Sequence, residues 1–155
     1  MDGDDVLREQ LGRLLDGAQA HIRPQELFER FPLDRINAAL PGVPYTPWQL
    51  LEHLRLAQRD ILDYVSDGDY QELTFPDGYW PTAEGKASET EWRSSVEQFL
   101  ADLDALRTIA RDPDRDLMAP LQRNPEHTLL RELLIIGNHN SYHLGQLVVM
   151  HRAQA

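Results

Sequence analysis

Two histidines four residues apart, His139 and His143, interrupt a stretch whose apolar residues otherwise recur at helical spacing: Leu129, Leu133 and Ile136, then Asn140 and His143, then Leu147 and Met150. At that separation two imidazoles stand one turn apart on one helix face. This is the spacing at which one helix offers two nitrogens to a single metal ion. A buried imidazole with no partner costs about 1–3 kcal/mol, so the pair needs either a satisfied hydrogen-bond network or a metal. His53 falls in another helical stretch, beside Leu50, Leu54 and Ala57. Alone, it would read as a core or border residue; beside an inward-facing pair it is the natural third ligand. Three histidines leave a fourth coordination position open, which is the arrangement of catalytic rather than structural sites.

The residue after His139 is Asn140, so the motif is not H-E-x-x-H and brings no general base with it. Glu52 points about 100° away from His53 around the helix. Asp60 lies two turns beyond His53 on a similar face, where it could orient a ligand or a water, or pair with Arg59 or Arg131. No catalytic residue is assigned. His127 sits near the start of the last helix, about 20 Å from the pair at 1.5 Å per residue, too far to be a ligand. His21 and His151 read as surface residues.

Four long amphipathic helices must position these groups. The first spans about 4–21, with Leu7, Leu11, Leu14 and Leu15 in its stripe. Short helical pieces follow near 25–30 and 33–40. Thr46-Pro47 reads as an N-cap followed by proline at the first helical position, opening a helix from Pro47 to Val65. A third runs from Glu89 to Arg111 and a fourth over about 126–152, with no convincing strand. Residues 68–88 form a long aromatic-bearing loop, a length more often functional than incidental. Trp80-Pro81 within it is the best candidate for lining a pocket mouth. The expected fold is all-α, a four-helix bundle with long connections, one domain over 1–155.

The chain has 155 residues, no cysteine and a formal net charge of -11. Thiol nucleophiles, disulfides and iron–sulfur clusters are excluded. The acidity argues against nucleic acid and anionic membranes as partners. No run of apolar residues is long enough to span a bilayer, and the start of the chain lacks the pattern of a signal peptide. A cytoplasmic protein acting on a small molecule is the expectation.

The segments Trp48-Gln49-Leu50-Leu51-Glu52-His53-Leu54 and Asn138-His139-Asn140-Ser141-Tyr142-His143-Leu144-Gly145-Gln146 resemble those of the DinB-like (YfiT-like) family of small metal-binding four-helix bundles. The resemblance implies an up-up-down-down-like bundle, frequent homodimers, and a divalent metal, often nickel or zinc, held by His53, His139 and His143. It leaves the chemistry open: some relatives are transferases or isomerases using low-molecular-weight thiols of the mycothiol, bacillithiol or glutathione kind, and others are described as metal-dependent hydrolases.

Three functions compete on this reading. A thiol-cofactor S-transferase would draw its nucleophile from a metal-bound thiolate and would need cations for an acidic cofactor, for which Arg55, Arg59 and Arg131 are available. A metal-dependent hydrolase would use metal-bound water and needs a base. A non-catalytic metal-binding stress-response module would close the site with a fourth protein ligand or depend on the ion for stability. Around the site, Gln146 is read as an outer partner of a ligand histidine and Tyr142 as a packing residue. Gly137 and Gly145 are read as points of close helix approach.

Overall fold

A computed structural model describes residues 2–66 and 68–154. Its five helices are α1 (Gly3–Asp16), α2 (Pro24–Arg30), α3 (Pro47–Val65), α4 (Glu89–Arg111) and α5 (Leu129–Ala153), and a two-stranded ribbon of β1 (Pro120–Leu121) and β2 (Asn124–Thr128) precedes α5. α3 and α4 begin and end where the sequence pattern puts them. Thr46 caps α3 reciprocally with Gln49, and Ser88 caps α4 reciprocally with Glu91, so each start is fixed by two satisfied backbone donors. α1 stops at Gly17, whose left-handed φ of 76° ends the helix five residues short of the expected end. The stretch near 33–40 keeps only one 3-10 turn, Leu33–Arg35.

The expectation of no strand is corrected. Residues 126–128, expected in the first turn of the last helix, instead belong to β2, which pairs antiparallel with β1, and Thr128 supplies the N-cap of α5, accepting from the Arg131 amide.

The helix directions follow from which residues meet. Arg8 near the start of α1 bonds the carbonyls of Ala110 and Asp112 at the end of α4, so these two run antiparallel. Glu52 meets Ser95 and Arg59 meets Asp102, so α3 and α4 run parallel. His53 meets His139 while Tyr64 meets His127, so α3 and α5 run antiparallel. The order is therefore up-down-down-up, not the up-up-down-down-like order the resemblance implied. Parallel α3 and α4 force the connection between them to return the full length of α3, roughly 28 Å at 1.5 Å per residue. That return strap, within residues 68–88, is the long aromatic loop of the sequence, and its course carries it past His53.

The core is built on the inward stripes: Leu11 and Leu15, Leu50, Leu51 and Leu54, Trp92, Phe99 and Leu106, and Leu133, Ile136, Leu144 and Leu147 are all buried. Gly137 packs as read: a Cβ there would lie 2.8 Å from Leu14. Gly145 does not, since a Cβ there would meet nothing within 4 Å. Among the described residues no helix is long and apolar enough to cross a membrane.

Candidate metal centre

His53, His139 and His143 come together. Each offers a ring nitrogen, and the three nitrogens lie within 4.8 Å of one another. The ring centroids are 4.5–4.9 Å apart. The antiparallel contact of α3 with α5 brings His53 level with the pair, and the one-turn spacing on α5 stacks the pair itself.

The outer edges of two rings are fixed. His53 Nδ1 donates to the Tyr79 carbonyl at 2.7 Å. His143 Nδ1 donates to Gln146 Oε1 at 2.6 Å, the outer role read for Gln146. With their protons on Nδ1, both histidines present a bare Nε2, which is how protein partners set the tautomer of a metal-binding imidazole. His139 Nε2 lies 3.0 Å from His53 Nε2, and its own Nδ1 is buried with no partner.

Hydrogen bonding within the protein does not satisfy this cluster. A proton on His139 Nε2 could serve His53, but His143 Nε2 would still have no partner among the described residues and His139 Nδ1 would remain an orphan. One ion would accept all three lone pairs. The spacing suits it, since tetrahedral bonds of about 2.05 Å put ligand nitrogens about 3.3 Å apart. The rings are also held neutral, as ligands must be. Burial lowers the pKa of all three, most strongly that of His139, which falls to about 4 with His143 and His53 adding to the effect.

No fourth histidine, carboxylate or thiol joins the group among the described residues. His53 and His143 are each 9 % exposed and His139 is half-buried, so the cluster is sunk but not sealed. Trp80 forms one wall, stacked on His53 with ring centroids 3.9 Å apart and planes 4° from parallel, consistent with its reading as a pocket-mouth residue. Tyr45, which carried no chemical signal in the sequence, stacks on Trp80 at 5.2 Å and lies beside Gln146 and Tyr142. Tyr142 is 65 % exposed, not packed, with its ring 4.9 Å from His143.

The other candidates lie elsewhere. Asp60 pairs with neither Arg59 nor Arg131; it accepts hydrogen bonds from Tyr70 and Tyr79. Glu52 accepts from Arg55 and from Ser95 on α4. Burial pushes its carboxyl up, yet the bonds from Arg55 and Ser95 together hold it below the usual glutamate range. His127 lies in β2 rather than in the last helix, and bonds the Tyr64 hydroxyl at 2.8 Å. His21 is half-buried, with Nε2 3.0 Å from Ser141 Oγ, and His151 is half-buried against Phe31; neither is the free surface residue expected. A groove of about 570 Å³ opens at the far end of α3, but its Arg115 and Arg123 are committed to the carbonyls that end that helix.

The family model of the DinB superfamily matches residues 8–147, and the chain belongs to that superfamily. No curated protein and no solved structure matches in the corresponding comparisons. The superfamily is metal-binding, and the three clustered histidines could form a metal site.

Proposed function

We propose that the protein is a metal-dependent enzyme acting on a small molecule, with His53, His139 and His143 as the ligands of one divalent ion. The observation that carries this is the convergence of three neutral imidazoles with two outer nitrogens already anchored and no fourth protein ligand beside them. Three imidazoles suit nickel or zinc. An ion held there would act as a Lewis acid on whatever group reaches its open side. Trp80 and Tyr45 give that side an apolar wall, and Tyr142 gives it an exposed rim.

In the S-transferase form of this proposal, a low-molecular-weight thiol brings the nucleophile that a cysteine-free chain lacks. A specific observation favours the hydrolase form instead. The three arginines available for an acidic thiol cofactor all have carboxylate partners: Arg55 pairs with Glu52, Arg59 with Asp102 and Asp63, and Arg131 with Glu132. The test is metal content of untagged protein, then turnover of ester, amide and electrophile panels with and without thiol. About one ion per chain with thiol-independent turnover supports hydrolysis. Strict thiol dependence selects the transferase. Ion binding without any turnover leaves the non-catalytic metal-binding module.

We place this activity in the cytoplasm and in a homodimer. The stripe of Ile135, Tyr142 and Val149, seven residues apart and exposed on the outer side of α5, is the face offered for the second copy.

A further inference from the structure

Beyond Gln49, which donates to the carbonyls of Thr82 and Ala83, the return strap is fastened to α3 at two posts on one helix face. Asp60, seven residues after His53 and hence two turns away, receives both phenols of the strap: Tyr70 donates to Oδ1 and Tyr79 to Oδ2, each at 2.8 Å. The second post is His53 itself. It donates to the carbonyl of the same Tyr79 and lies flat under the next residue, Trp80. Burial, and then the bond to Asp60, raise the pKa of both tyrosines, that of Tyr79 to about 12, so both remain donors at neutral pH. A carboxylate accepting two hydroxyl bonds is a strong fastening, because bonds to a charged acceptor exceed neutral ones. Asp60 has both oxygens occupied and is therefore not a free base for the chemistry.

We infer that Asp60 is a positioning residue for the metal centre. By fastening Tyr70 and Tyr79 it holds the Tyr79 carbonyl where it fixes the tautomer and ring plane of His53, and so aims His53 Nε2 at His139 and His143. The inference rests on the three-histidine metal reading. It gives the strap a purpose beyond linking two helices: removing a carboxylate that touches no histidine weakens the ion's hold through one histidine only.

The experiment is a cobalt(II) titration of wild type, Asp60→Ala, His53→Ala and the double variant, reading affinity and the visible ligand-field spectrum. Asp60→Ala is expected to weaken cobalt binding roughly 10- to 100-fold and to alter the spectrum, as losses of outer partners do. In the His53→Ala background the same change is expected to cost nothing further, because its effect travels through His53. A structural latch alone would weaken binding equally in both backgrounds, and that result overturns the inference. So does an Asp60→Ala protein with wild-type affinity and spectrum. Should Asp60→Ala fail to fold, Tyr79→Phe removes one hydroxyl; a loss of roughly 2- to 10-fold supports the inference and unchanged affinity overturns it. Wild type that binds no cobalt overturns the metal reading and this inference with it, whereas wild-type binding with an indifferent Asp60 overturns this inference alone.

Discussion

α3 carries two polar clusters on different faces, and they are built on different principles. Toward α4, Glu52 meets Arg55 and Ser95, and Asp102 meets Arg59 and Gln98. Donors face acceptors, charges alternate, and most of the groups are matched. Toward α5, three neutral imidazoles face one another, and a single N–H on His139 Nε2 is the most that they could set between them. A matched seam holds two helices in register. An unmatched set of lone pairs has no structural reason to persist in a buried place unless something absent from the polypeptide completes it. The two clusters should accordingly fail in different ways when damaged.

The largest expected effect is on the α5 side. His143→Ala removes one of the three proposed ligands, and loss of a ligand should exceed the roughly 100-fold reached by removing an outer partner. Elemental analysis and titration with zinc or nickel check this: about one ion per chain in wild type and none retained in the variant. Because the site also loses an imidazole with an unmet Nε2, the metal-free variant should be no less stable than metal-free wild type by more than about 1 kcal/mol. Equal metal binding by both proteins would reduce the histidines to a buried network and remove the contrast between the two sides.

The second effect separates the sides by pH. The folded-state pKa of His139 is depressed from 6.5 to about 4, chiefly by burial, and those of His53 and His143 are depressed too. The unfolded chain therefore takes up protons first as pH falls. The stability these neutral rings contribute is complete above about 6.5 and is lost progressively toward 4. Glu52 is also depressed, from 4.5, so its contribution is present above that value and is lost only below it. Denaturant melts of metal-free protein should show a falling midpoint already between pH 6.5 and 5. Replacing all three histidines by glutamine should flatten that window and leave the decline below pH 4.5 in place.

The third prediction concerns the α4 side alone. Glu52→Ala leaves the buried Ser95 hydroxyl and the Arg55 guanidinium without their acceptor. Arg55 is one quarter exposed and can turn to water, so the expected loss is about 1–3 kcal/mol and not the larger cost of stranding a buried charge. Metal affinity should stay within about twofold of wild type, since Glu52 touches none of the three histidines. A substantial loss of affinity would show that the two sides of α3 are not independent.

What the sequence revealed divides along physical lines. α3 was legible because Thr46 before Pro47 is a local, chemical signal for its start, and α4 because its apolar residues keep a helical period. His53, His139 and His143 were legible because helical spacing fixes which side chains share a face. Gln146 was legible for the same reason, three residues beyond His143. The partner of His53 was not, because it is a backbone carbonyl, and any residue at position 79 would have one. Asp60 was misplaced because its partners arrive on the return strap, whose path depends on α3 and α4 running parallel. Nothing local in the chain states that direction. The ribbon before α5 was missed because two short strands carry too few residues to show a period.

The smallest effect tests where the outer side of α5 belongs in this comparison. Gly137 and Gly145 lie on the same helix, and each costs about 1 kcal/mol relative to alanine. Gly137 has a reason, since a Cβ would press on Leu14, and Gly137→Ala should destabilise by about 1–3 kcal/mol through overpacking, less the helix gain. Gly145 has none within one chain, so Gly145→Ala should stabilise an isolated protomer by up to about 1 kcal/mol. Melts at low and high protein concentration check both. If Gly145→Ala instead weakens the protein, and does so only at high concentration, then this glycine makes room for another chain. The exposed stripe of Ile135, Tyr142 and Val149 would then be a contact between copies, and Tyr142, beside His143, would bring that contact to the edge of the histidine site.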